Sequence, residues 1–150
     1  MAIALDTNIP RPVLAGDRRA ITLTPLLDGY NASDGLVVCA PVYAELLAGP
    51  ATTVAELDAF LAATDIVVDF NLSPDVWRGA GLAFHAYAER RIAARDMWPR
   101  RILADFVIGM HALLGATALM TLDRAGFAPN FPTLALIVPV LSSPSTTDAP

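Results

Sequence analysis

The sequence predicts a single α/β domain in which parallel strands form a sheet covered by helices. Three observations carry that expectation. Short apolar runs at residues 2–5 and 35–40 lack any period-two alternation, as strands buried on both faces do. Helical segments alternate with these runs without long breaks, the pattern of parallel strands joined by right-handed crossovers. Finally, 150 residues that are 55% hydrophobic can fill one sizeable core and are far from the composition of a disordered chain.

The elements follow in order. Residues 2–5 predict a first strand. Between 8 and 19, Pro10, Pro12 and Gly16 allow only a short or broken helix. The segment ITLTPLLDGYNA reads as a helix with Pro25 near its first turn, closing around Asn31 and Ser33. GLVVCA is the second strand, and Pro41 opens a helix that Gly49 and Pro50 stop. Thr53 with Glu56 three residues on is a capping-box pattern for the next helix. DIVVDF is a third strand. Ser73 or Asp75 then caps a long helix reaching about Arg95, and Pro99 opens another, from roughly 100 to 114, ended by Gly115. TALMTL and TLALIVP complete five strands. Residues 1–141 are expected to form the domain and residues 142–150, polar and Pro-containing, a disordered tail.

Net charge of −5 makes a non-specific nucleic-acid binder a poor fit, although a local basic patch is compatible with it. All ten positive charges are Arg, and five of them, Arg90, Arg91, Arg95, Arg100 and Arg101, cluster together. Cys39 is the only cysteine, so no intramolecular disulfide can form, and its apolar neighbours suit a small buried residue. The start lacks a basic n-region, and the charge-free run from Phe106 to Leu122 contains His111, two Gly and two Thr. A cytoplasmic protein without a membrane span is the expectation.

Four acids stand where chemistry is expected. In an open parallel sheet the functional crevice lies outside the carboxyl ends of the strands. Asp6 follows strand one and Asp123 follows strand four; each alone could equally cap a helix or form a turn. Glu45 is the sole charge on the short apolar helix after strand two, where a surface glutamate is the plain alternative. Asp105 sits among apolar neighbours in RRILADFVIGMHALLG, a costly place for a carboxylate unless something compensates it, and Arg101 four residues earlier is one candidate. If the four converge, they repel one another unless a cation neutralises them. Oxygen ligands select Mg²⁺ or Mn²⁺, and neither Cys39 nor the two His has metal-ligand spacing. Such a site suits phosphodiester hydrolysis by metal-activated water.

LDTNI, VYAELLAG, RILADFVIGMHAL and LMTLDRAGF, in that order and spanning about residues 2–140, resemble the PIN-domain ribonucleases, and among them the VapC-type toxins of toxin–antitoxin pairs. The resemblance implies a three-layer α/β/α fold with a five-stranded parallel sheet of order 3-2-1-4-5. It also implies Mg²⁺- or Mn²⁺-dependent RNA cleavage by an acidic quartet of Asp6, Glu45, Asp105 and Asp123. Thr7, Asn8 and Thr121 match the small polar positions that support the site. A cognate VapB-type antitoxin and a homodimer, or a heterotetramer or larger assembly with the antitoxin, are the implied partners. Where many relatives carry a further acid just after the one matching Asp123, this chain has Arg124, Ala125, Gly126 and Phe127.

On this reading Asp6, Asp105 and Asp123 hold the metal, Asp123 directly or through water, and Glu45 orients or deprotonates the attacking water. Arg90, Arg91, Arg95, Arg100 and Arg101 meet RNA phosphates. His85 and His111 are expected to be packed or surface residues, and Trp77 and Trp98 core or interface anchors. A phosphatase acting on small esters through a nucleophilic Asp is disfavoured by the absence of Lys. A non-catalytic or degenerate PIN-fold binding module is the remaining alternative.

Overall fold

The computed structural model describes residues 1–95 and 100–142. Trp98, the proposed helix start at Pro99 and tail residues 143–150 therefore lie outside the described part. Its core is a parallel sheet built from β1 (Ile3–Leu5), β2 (Leu36–Cys39), β3 (Ile66–Asp69), β4 (Ala118–Met120) and β5 (Leu136–Ile137). Their order is β3-β2-β1-β4-β5, with every pairing parallel, as the sequence resemblance implies. All residues of the central strand β1 and of its neighbour β4 are buried, so both faces of the sheet are covered.

The helices among the described residues are α1 (Pro10–Ala15), α2 (Ala20–Ser33), α3 (Ala40–Leu47), α4 (Val54–Ala63), α5 (Pro74–Ala94), α6 (Leu103–Gly115) and α7 (Arg124–Phe127). Pro10 occupies the first position of α1, where a missing N–H removes nothing the helix uses, and Gly16 ends it in the left-handed conformation at φ 66°. The prolines thus start a short helix directly after Asp6. Pro25, by contrast, lies inside α2 and not in its first turn, because the helix begins at Ala20; it cannot donate to the Ile21 carbonyl. The Thr53–Glu56 capping box forms at α4, and Ser73 caps α5 with Asp75 in the first turn.

Two elements are shorter than their sequence patterns. β5 covers two residues of TLALIVP, because β4 offers only a short partner and residues 131–134 close a turn instead. Helix α6 begins at Leu103, since Ile102 is extended (φ −106°, ψ 162°) and the Asp105 carboxylate accepts from its N–H at 3.2 Å. Arg100 and Arg101 therefore precede the helix. α5 packs along α6 through Phe84 and Tyr87, whose rings lie 4.9 Å and 5.3 Å from that of Phe106.

The core is largely aliphatic, with Leu5, Ile9, Leu23, Val38, Leu57 and Leu119 fully enclosed, and it takes in Phe106 and Phe127 as well. Cys39 is buried among them, and burial pushes its thiol up to about 12. No described helix is long and apolar enough to cross a membrane.

Candidate active site

The β1–β4 register sets Leu5 opposite Met120, so that Asp6 and Thr121 leave the sheet side by side. The Asp6 N–H extends this ladder by one bond to the Met120 carbonyl at 3.0 Å. Strands one and four are thus neighbours, as convergence of Asp6 and Asp123 requires. Helix α3 starts immediately after β2, which brings Glu45 to the same edge. Helix α6 runs back from that edge into β4, so its first turn, with Asp105, stands there too. Asp6, Glu45, Asp105 and Asp123 all line one cleft of about 1100 Å³, together with Thr7 and Asn8.

Asp6 is 7% exposed, and each of its contacts is neutral. Its Oδ1 accepts from the Thr7 N–H at 2.8 Å. Its Oδ2 accepts from Thr121 Oγ1 at 2.7 Å and from Asn8 Nδ2 at 2.9 Å. Asn8 is held in turn by the Leu122 N–H at 3.0 Å, and the fully buried Thr121 hydroxyl also receives the Asp123 N–H at 2.9 Å. The three small polar residues form one network around the first acid. Burial raises Asp6 to about 6, the Thr121 and Thr7 bonds oppose that rise, and the charges of Asp105 and Glu45 add to it. Asp105 is also raised, first by burial; its Ile102 bond and Arg101 oppose the shift, and Asp123 adds to it.

The other two acids are engaged differently. Glu45 accepts a short bond from the Thr7 hydroxyl. Asp123 caps α7, accepting from the Gly126 N–H at 3.0 Å through Oδ1, and forms an ion pair through Oδ2 with Arg101 Nη1 at 2.5 Å. Sequence spacing offered Arg101 to Asp105 as an i, i+4 partner; because residues 100–102 are not helical, its side chain crosses to Asp123 instead.

The arginines of the 90–101 cluster lie along the end of α5 and the approach to α6. Arg91, Arg95, Arg100 and Arg101 line a second hollow, of about 420 Å³, beside Tyr87. Arg90 bonds Asn130 Oδ1 at 2.5 Å, and the Arg91 guanidinium stacks over the Tyr87 ring at 5.6 Å. His85 pairs with Glu89 on the surface, and His111 is packed against Asp69 at 3.2 Å, away from the cleft. Trp77 is half exposed on α5 and is not a core residue. Two residues escaped the sequence reading. Arg11, on the first turn of α1, lines the cleft and donates to the Glu45 carbonyl at 3.0 Å; its place five residues after Asp6 was the available signal. Gly126 lies against the Arg101–Asp123 pair, a tertiary contact that local sequence does not announce.

The donor set can be matched to a cation. Every acid in the cleft offers hard oxygen, and Asp6 is a buried carboxylate without a positive partner among the described residues, the chemistry of a Mg²⁺ or Mn²⁺ site. Among the described residues, no group of three or more His, Cys, Asp or Glu stands ready to hold an ion. Mg²⁺ usually takes one or two carboxylates and keeps several waters, so a pair of acids from this cleft would be a sufficient donor set.

The PIN domain model matches residues 3–128. The chain belongs to the PIN domain family. One solved structure similar to this PIN domain is a chain from the crystal structure of VapBC2 from Rickettsia felis bound to a DNA fragment from its promoter. The TM-score is 0.63 and the identity 18%, over 92% of this chain and 98% of that one, a likeness of fold. No curated protein matches this PIN domain significantly.

Proposed function

We propose that this PIN domain is a Mg²⁺- or Mn²⁺-dependent endoribonuclease and the toxin of a VapBC-type pair in the cytoplasm, working with a cognate VapB-type antitoxin. The observation that carries the reading is the cleft itself, with four carboxylates from β1, α3, α6 and the β4 end facing one space. PIN domains are in general nucleases, and the fold matches a structure of a VapBC complex. Asp6 and Asp105 would hold the metal, which would supply activated water and polarise a phosphoryl oxygen. Glu45, aligned by the Thr7 hydroxyl, orients or deprotonates the attacking water. Arg11 in the cleft, Arg91, Arg95 and Arg100 in the second hollow, and Arg90 beside Asn130 would take RNA phosphates. Asp6→Ala and Asp105→Asn should each abolish metal-dependent RNA cleavage while circular dichroism stays unchanged. Mapping RNA 5′ ends after induction of the wild type and Asp105→Asn checks this, and undiminished cleavage by either variant sinks the assignment.

One observation favours a second reading, a non-catalytic binding module. Glu45 and Asp123 are already satisfied within the chain, by Thr7 and by Arg101. Mn²⁺ titration separates the two, since a binding module would show no Mn²⁺ binding that depends on Asp6.

A further inference from the structure

We propose that Arg101, reaching over from the second hollow, is the resident cation of Asp123 and so leaves the cleft a one-metal site. The inference rests on the metal-dependent reading above and concerns how many ions that site admits.

The pair is built, not incidental. Arg101 Nη1 lies 2.5 Å from Asp123 Oδ2, with the two side chains only 22% and 37% exposed. The Arg101 backbone N–H is anchored on the Tyr87 hydroxyl at 2.8 Å, and Tyr87 is wedged against Phe84 and Phe106. The late start of α6 leaves Arg101 outside the helix, from where the guanidinium reaches across to the β4 end. Gly126 completes the seat. A Cβ there would stand 2.4 Å from Asp123 Oδ2 and 2.6 Å from Arg101 Nη1, so a side chain at this position and the pair cannot both keep their places. Both Asp123 oxygens are thereby used, one by Arg101 and one by the Gly126 N–H.

Charge arithmetic points the same way. Of four formal negative charges, Arg101 cancels one. One divalent ion then leaves the quartet at minus one, whereas a second would carry it to plus one. Among the described residues Asp6 and Asp105 hold no such ion pair, and they are the acids that need the metal. Arg101 is accordingly a positioning residue that acts through Asp123.

Mn²⁺ stoichiometry and affinity, measured by calorimetry with bound ion counted by electron paramagnetic resonance, test this. The wild type should bind one Mn²⁺, lost in Asp6→Asn. Arg101→Gln should bind two, and Arg101→Lys, which keeps the charge, one. Asp123→Asn should weaken the single site by less than about tenfold, the lower bound for removing a supporting contact, and this holds whether or not Arg101→Gln folds. Two ions in the wild type, one ion of unchanged affinity in Arg101→Gln, or a larger loss in Asp123→Asn overturns the inference while leaving the nuclease reading intact. Absence of any Asp6-dependent Mn²⁺ binding overturns both.

Discussion

The two halves of the cleft solve the same problem in opposite ways. On the β1 side, Asp6 is more deeply buried than any other acid of the quartet and receives only neutral donors, so its charge stays uncompensated. On the β4 side, Asp123 is more exposed yet carries its own guanidinium. Hydrogen bonds hold a carboxylate in position without satisfying its charge; an ion pair does both. The first half is thus poised for an external cation and the second is already supplied.

Three experiments separate the halves. The largest effect should come from Thr121→Val, which is nearly isosteric but deletes a buried bond to the Asp6 carboxylate. It should cost about 3 kcal/mol at neutral pH, the upper range for a bond to a charged group, read by chemical denaturation. Because the Thr121 bond opposes the rise at Asp6, its loss should also move the protonation midpoint of Asp6 above about 6. Gly126→Ala acts on the other half alone. Its methyl meets the flexible ends of the Asp123–Arg101 pair, which must part, and losing that charged hydrogen bond should cost about 2 kcal/mol with no change in the Asp6 midpoint.

The smallest effect is the pH dependence of the metal-free protein. Asp6 is raised from 3.8 to about 6, so between those values the native state binds a proton that the unfolded state does not. Stability should therefore rise as pH falls through 6, by about 1.4 kcal/mol between pH 7.5 and pH 5. Thermal melting of the wild type against Asp6→Asn in the presence of chelator checks it. An equal rise in both proteins would place the titration elsewhere and erase the contrast between the halves.

How much of this was legible in the sequence depends on the range of the interaction. The strand ending at Leu5 with an acid directly after it, and the acid following the β4 run, are local patterns, and both landed at one sheet edge. The Thr53–Glu56 cap was legible for the same reason. Arg101 was not, because its partner is 22 positions away and the helix that would have aimed it at Asp105 starts two residues later. The extent of β5 was not legible either, since a strand is only as long as the neighbour it pairs with. The exposure of Trp77 follows from which face of α5 meets α6, a matter of packing that the weak periodicity of that helix leaves open.

The shortness of β5 has a reach beyond the sheet. Across this outer boundary the Leu119 and Thr121 amides bond to the Ala135 and Ile137 carbonyls at 2.9 Å and 3.0 Å. Elements secured by so few ladder bonds are the first to open in the native state, at a free energy well below that of global unfolding. Thr121 belongs to that rim through its amide and to Asp6 through its hydroxyl. Any opening at the sheet margin would therefore reach Asp6 through Thr121, from a segment that carries no acid of the cleft.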